Sequence, residues 1–280
     1  MEASQLKQRI RHLRYETFST PWPLDEEIAA AAAGQPSHSF LRNPASQLVY
    51  VYLTRFVRAA SEAALQRPFS SLSVLDWGCG KGHVSKLMRD LAPRSVESCD
   101  IVSKNEDSAF GQTTPILEKF GIAVTPLLHE SQLPYASATF DVALSVGVLE
   151  HVPNDRASLA EIARVLKPGG VFFCFNLPAE LSWTQKISHC RGDFYHDRLY
   201  SEKVVRAMLP PADLEPIDVW YRQILPKNTV RYPFFRSVEK VDQLITFHTP
   251  LRFFATSVEF VSIKRGKRQD GDAPSGDPPK

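Results

Sequence analysis

Two carboxylates and three alternating glycines are the residues of this 280-residue chain whose types and spacing could do chemistry. Asp76 sits near the end of the apolar run "SVLDW", and Gly78, Gly80 and Gly82 follow in "GCGKG". Asp100 closes a second apolar run, "SVESCD". A glycine turn after a strand lets backbone approach a ligand closely, and ligands of open α/β sheets sit beyond the carboxyl ends of the strands. An acid about 20 residues past such a loop can accept hydrogen bonds from ribose hydroxyls. A dinucleotide site would read G-x-G-x-x-G, but position 83 is His83 and the glycine comes one residue earlier. Asp76 also suits a cationic group, such as an α-amino group, better than a pyrophosphate. An NAD-dependent oxidoreductase is therefore the weaker reading. A catalytically silent binding or scaffold protein stays open, because a loop of this kind reports binding rather than turnover.

The elements that must position these residues follow from periodicity. Buried strands are predicted over 72–77, 95–102, 121–128, 140–149 and 171–177, with helices over 83–91, 155–166 and, disturbed by Pro115, in "SAFGQTTPILEKF". Near-continuous apolar strands alternating with helices predict a parallel sheet covered on both faces. The N-terminal side reads as helices over 4–18 and 44–66, with a weaker one ending at Gly34. Residues 178–200 show no clear period. Beyond them a helix (201–209), a strand (214–221), a helix (234–247) and a strand (253–265) are expected. The predicted organisation is an N-terminal helical cap (1–68), an α/β domain (69–265) with acceptor-side insertions (178–250), and a disordered tail (266–280) without apolar residues.

Composition narrows the class. At 43% hydrophobic and 23% charged residues the chain can bury a sizeable core. A net charge of +2 gives no field that would demand nucleic acid as partner. Cys79, Cys99, Cys174 and Cys190 form no C-x-x-C pair and read as reduced thiols, neither a disulfide framework nor a zinc site. The charged N-terminus lacks the apolar core of a secretory signal, so the expected location is the cytoplasm, with peripheral membrane contact as an addition.

Four segments in order carry a resemblance. "VLDWGCGKG", "SCDIV", "LPYASATFDVALSVGVLEHV" and "IARVLKPGGVFFCFN" resemble successive motifs of the class I S-adenosylmethionine-dependent methyltransferases, in the broad subgroup that contains the ubiquinone-biosynthesis O-methyltransferases. The resemblance covers residues 73–177. It implies a Rossmann-like, doubly wound, mainly parallel seven-stranded sheet whose last strand is antiparallel. It implies S-adenosyl-L-methionine as cofactor. Asp76 would meet the amino group, Gly78, Gly80 and Gly82 the methionine and ribose portion, Asp100 both ribose hydroxyls, and Ile101 the adenine. Ser145 and Gly147 would face the methionine tail. Many relatives place an Asp where this chain has His129, with Glu130 next, so either of these would contact the adenine amino group. Some relatives bind a divalent metal through Glu-x-x-Glu-His. The corresponding stretch here is Gly147 to His151 and lacks the first Glu, so no metal is expected.

The acceptor side is less defined. His151, His189 and His196 are the candidate general bases, with Tyr195 beside them. Oxygen methylation of a small-molecule, lipid or sugar acceptor is expected, because the N-P-P-Y pattern of amino methylation is missing after the fourth strand. The segment 221–254 interleaves aromatics with Arg and Lys. The favoured reading is a helix packed on the sheet with aromatics in the core and basic groups in water. The competing one is a surface resting at a membrane interface.

Overall fold

The computed structural model of the chain describes residues 3–34, 36–101, 115–129, 131–193, 196–228 and 230–266. Its strands are β1 (Ser73–Trp77), β2 (Ser95–Ile101), β3 (Val124–Leu127), β4 (Phe140–Val146), β5 (Leu166–Pro178), β6 (Leu214–Arg222) and β7 (Ser257–Lys264). They form one sheet in the order β3-β2-β1-β4-β5-β7-β6. β1 to β5 pair in parallel, whereas β7 runs antiparallel to both β5 and β6. The expected seven-stranded, doubly wound sheet is therefore present, including its antiparallel last strand. The order reverses between β1 and β4, the place where such sheets open a crevice for a ligand.

Side chains along the strands alternate between two cores. Val142 and Leu144 of β4 and Val171, Phe173 and Phe175 of β5 belong to one core. It is covered by α1 (Ala3–Ser19), α2 (Glu26–Ala31), α3 (Pro44–Leu65) and α4 (His83–Asp90). Ala143, Phe172 and Cys174 point the other way, into a core shared with α6 (Asp155–Val165) and α8 (Glu202–Met208). Phe56 of α3 is the pivot of the first core. Its ring lies 5.8 Å from Phe18 of α1, 5.9 Å from Phe173 of β5 and 5.7 Å from Trp220 of β6.

Four local features differ from expectation. First, α7 (Trp183–Arg191) lies where no period was evident. None of its residues is buried, so it has no apolar stripe to read, and its start is marked only by Ser182 accepting the Gln185 amide. Second, the K-P-G-G segment is part of β5, at a register shift against β4. Third, the final strand starts at Ser257, and Pro250–Phe254 form a 3₁₀ turn. Fourth, α9 (Phe235–His248) turns charged residues inward: Glu239 and Asp242 are buried, whereas Val241 and Leu244 are exposed. Only Pro115–Lys119 of the predicted third helix is described, as α5; its first half and most of the predicted tail lie outside the described residues. No helix among the described residues is long and apolar enough to cross a membrane.

Because Phe56 is fully buried where α1, α3 and the sheet meet, Phe56→Ala should cost about 3–5 kcal/mol. Urea unfolding at equilibrium measures this. A cost below about 1 kcal/mol would mean that the N-terminal helices do not share the sheet's core.

Candidate functional site

The glycine loop is held by β2. The amides of Gly78 and Cys79 both donate to the Cys99 carbonyl, at 2.8 and 3.1 Å. The Gly80 amide donates to Asp100 Oδ2 at 2.6 Å, and the Ile101 amide donates to Asp100 Oδ1 at 2.7 Å. Burial raises the Asp100 pKa, against the opposing effect of these two amides. Each carboxylate oxygen keeps acceptor capacity after its one amide bond, so Asp100 can still receive two hydroxyl donors.

Two of the glycines are required by packing as well as by conformation. Gly78 has φ +73°, and a Cβ there would lie 2.3 Å from Val148 Cγ2. Gly82 has φ +79°, and a Cβ there would lie 2.3 Å from Leu117 Cδ2. The loop is thus pressed between the turn after β4 and α5.

Asp76 is 1% exposed. Its Oδ2 accepts from the Ser85 hydroxyl at 2.6 Å, and Ser85 in turn accepts from Ser98 at 2.9 Å. Burial pushes the Asp76 carboxyl up to about 7, the Ser85 bond opposes this, and the Asp100 charge adds to it. A cation arriving beside Asp76 would hold it ionised. His83, where a dinucleotide loop has glycine, is packed edge-on against Tyr50 at 4.3 Å and near Phe40 at 5.7 Å. Among the described residues neither ring nitrogen has a hydrogen-bond partner, and burial lowers its pKa to about 3. It is a neutral wedge, not a phosphate ligand.

A cavity of about 150 Å³ opens beyond β1, β2 and β4, lined among others by Gly78, Asp100, Ile101, Leu127, Gly147 and Val148. His151 and Val152 also line it, and both belong equally to an adjoining cleft of about 500 Å³ with Glu150, His196 and Arg198. Glu150, His151 and His196 each bring a ligand-capable atom within 4.8 Å of the others. The two imidazole rings are 5.2 Å apart, and His151 Nε2 is 3.9 Å from Glu150 Oε1. Burial lowers both imidazole pKa values and raises Glu150 to about 7. These three groups could relay a proton, and they are also a donor set able to hold a divalent cation with positions left open. Arg198 donates to the carbonyls of Leu149, Val152 and Pro153 and so fixes the turn that carries them. Gln185 of α7 brackets His196, accepting its amide at 3.0 Å and meeting its Nδ1 at 3.0 Å.

The remaining predicted residues are dispersed. Ser145 lies within β4, wholly buried, and its hydroxyl donates to Cys174 Sγ at 3.3 Å. His129 is exposed and bridges to Gln132. His189 is exposed near the end of α7. Glu130 and Tyr195 lie outside the described residues. Sequence reasoning missed Ser85, Leu127, Val148, Gln185 and Arg198. Apart from Arg198 and Gln185, which lie in the segment of no clear period, these are helix-start or apolar positions whose only signal was their distance from the glycine loop.

Comparison with known proteins places this geometry. Residues 75–174 match the family described as "Methyltransferase domain". Over 142 residues the chain is 33% identical to the ubiquinone biosynthesis O-methyltransferase of Caulobacter vibrioides, covering 51% of this chain and 54% of that one. The chain spans about half the length of the curated relatives it matches first. Among solved structures, a candidate methyltransferase from the Haloferax volcanii complex with the Trm112 methyltransferase activator superposes with TM-score 0.52 at 17% identity, over 87% of this chain and all of that one. The 4+2 cyclase SpnF superposes with TM-score 0.50 at 19% identity, over 79% of this chain and 82% of that one. These likenesses show the shared fold.

The Asp76 carboxyl has a folded pKa of about 7 against an ordinary 3.8. A carboxyl raised on folding stabilises fully below its unfolded value, and that contribution is lost as pH rises through the folded one. The stability of Asp76→Asn relative to the parent should therefore improve between about pH 4 and 7, by up to about 4 kcal/mol. Urea midpoints across that range test it; a flat difference would place Asp76 in water.

Proposed function

We propose that this chain, which carries a methyltransferase domain over residues 75–174, transfers a methyl group from S-adenosylmethionine to an oxygen of a small-molecule, lipid or sugar acceptor. The observation that carries the reading is Asp100. Its carboxylate is clamped by the Gly80 and Ile101 amides and lines the cavity with acceptor capacity to spare, a fit for a vicinal diol. The name of the Caulobacter relative supports oxygen as the atom methylated. S-adenosylmethionine, when bound, supplies a methyl group already activated by its sulfonium.

The chain's own residues would divide the remaining work. Asp76 faces the amino group, Gly78, Gly80 and Gly82 follow the methionine and ribose portion, and Ile101 and Leu127 offer an apolar wall to the adenine. His129, or Glu130 beside it, is the candidate partner of the adenine amino group. Gly147 stands at the methionine end, and Ser145 braces β4 from within. His151 and His196 line the acceptor cleft as neutral imidazoles, the form needed to take a hydroxyl proton. Glu150, with Oε1 3.9 Å from His151 Nε2, would stabilise the imidazolium that forms when His151 takes the proton. His189, out on α7, is the weaker base candidate. Positioning and exclusion of water supply most of the rate in such a transfer. Residues 1–68 are read as a helical cap and 178–250 as the acceptor side of the domain over 69–265.

Titration calorimetry should give heat with S-adenosylmethionine and none with NAD. Asp100→Ala should weaken cofactor binding about 100-fold or more, since it removes two charge-assisted hydrogen bonds. Heat with NAD alone would overturn the reading in favour of an oxidoreductase. With a labelled methyl donor and a metabolite extract as acceptor source, the parent should label an acceptor. His151→Gln with His196→Gln should lower that rate about 100-fold while leaving cofactor binding unchanged. Unchanged turnover in the pair would remove both from the proton path, and binding without any labelling would leave a silent cofactor-binding protein.

A further inference from the structure

α9 packs Phe235 and Phe247 on the core but buries charge beside them and leaves other apolar groups outside. At about 100° per residue, one arc of the helix carries Glu239, Asp242, Gln243 and Thr246, and all four are buried. The opposite arc carries Val241 and Leu244, 51% and 55% exposed, and Phe234 at the helix start is 75% exposed. A helix on the surface of a globular protein ordinarily has the reverse arrangement.

The inward charges have a structural reason. Lys227 is 1% exposed, with its Nζ 2.5 Å from Glu239 and 2.7 Å from Asp242. Asp242 Oδ1 also accepts the Ile224 and Leu225 amides. Burial works against the Lys227 charge, but Glu239 and Asp242 together raise its pKa. No such reason accounts for the outward apolar groups, which continue past the helix as Leu251, Phe253 and Phe254, 53%, 40% and 46% exposed.

Within the segment that carries this patch the exposed charge has one sign. Between residues 230 and 254 the only acids are Glu239 and Asp242, both turned inward, whereas Arg231, Arg236, Lys240 and Arg252 are exposed. α1, which meets α9 through Tyr15 and Phe247 at 5.3 Å, adds exposed Lys7, Arg9 and Arg11 against one exposed acid, Glu16. A two-fold contact between copies of this face would bring the basic quartet close to itself. A bilayer with anionic headgroups satisfies both halves of the pattern, since aromatic and aliphatic groups enter the interface while Arg and Lys meet phosphates.

We propose that the face formed by α9 and the turn after it docks on an anionic lipid surface, inserting Phe234, Val241, Leu244, Leu251, Phe253 and Phe254. This assignment is independent of the methyl-transfer reading. The face reaches the candidate site by a short path: Asp242 holds the Ile224 amide, the Ile224 carbonyl accepts from Trp183 of α7, and α7 holds His196 through Gln185.

The test is flotation of the full chain with vesicles of phosphatidylcholine alone or mixed with phosphatidylglycerol. The parent should float only with the mixed vesicles and be released by salt. Phe234→Ser with Val241→Ser and Leu244→Ser should stay at the bottom with its circular dichroism unchanged. Lys240→Glu should bind at least about fivefold more weakly. A second measurement avoids multiple substitution: an environment-sensitive fluorophore on Leu244→Cys, in a Cys190→Ser background because Cys190 is the exposed free cysteine, should shift to the blue on mixed vesicles. The proposal is overturned if the parent fails to float, if the triple variant floats equally well, or if the fluorophore does not shift. It is also overturned if the parent instead forms a dimer that the triple variant loses, which would assign the face to a second copy of the chain.

Discussion

The bond from the Gly80 amide to Asp100, 2.6 Å long, joins the loop after β1 to the end of β2, and the candidate site is organised around it. A carboxylate at the end of a parallel strand is buried by its neighbours and would ordinarily be driven toward its neutral form. Here two backbone amides meet it, one from the loop and one from its own strand. The loop can reach only because its glycines lie at positive φ and because no side chain stands between it and Val148 or Leu117. The strand order, the loop shape and the acid's position are therefore one constraint. A sheet that reversed direction elsewhere would leave the loop without β2 to close against.

Burial sets the chemistry in the rest of the site. Asp76 and Glu150 are both raised to about 7, and His83, His151 and His196 are all lowered. The same low-dielectric setting thus favours the neutral forms of both the carboxyls and the imidazoles. That suits a site receiving a cation at one end and a proton at the other. The opposite solution appears under α9 and β6. There Lys227 pairs with Glu239 and Asp242, and Arg222 lies 3.3 Å from Glu259. Arg14 is within 3.3 Å of Asp218 and lies over Trp220 at 4.6 Å. Such pairs contribute less to net stability than their number suggests, because each ion is desolvated. Their consequence is orientation: they decide which face of α9 looks inward.

The parallel strands and their helices were legible because each buries a continuous or periodic apolar surface, as Val171–Leu177 and the Leu159–Ile162–Ala163 stripe of α6 do. The glycine loop and the acid closing β2 were legible for a related reason. Asp76, the glycines and Asp100 are separated by local chain geometry alone, so spacing carries the information. α7 was not legible because it buries nothing, and the K-P-G-G segment was not because a bulged strand and a turn use the same residues. α9 was read within one residue of its limits, and Phe235 and Phe247 pack on the core with Arg236 and Lys240 exposed as expected, but the inward turn of Glu239 and Asp242 was not legible. Its apolar residues follow helical period, and period says which residues share a side but not which side is inside.

By itself, then, the sequence determined the sheet's parallel part, the glycine loop after β1, and the acids Asp76 and Asp100 at two strand ends, because these rest on strand burial and on spacing within one strand–helix–strand unit. Only the tertiary structure decided that His151 and His196, 45 residues apart, share a cleft with Glu150 while His189 does not. Only it decided that Ser145 faces Cys174 inside the sheet, and that Lys227 draws two acids of α9 inward and leaves Val241 and Leu244 in water. Each of those outcomes depends on which elements pack together across long sequence separation. The free energy of a buried charge or an exposed apolar group is set by what the packing puts beside it.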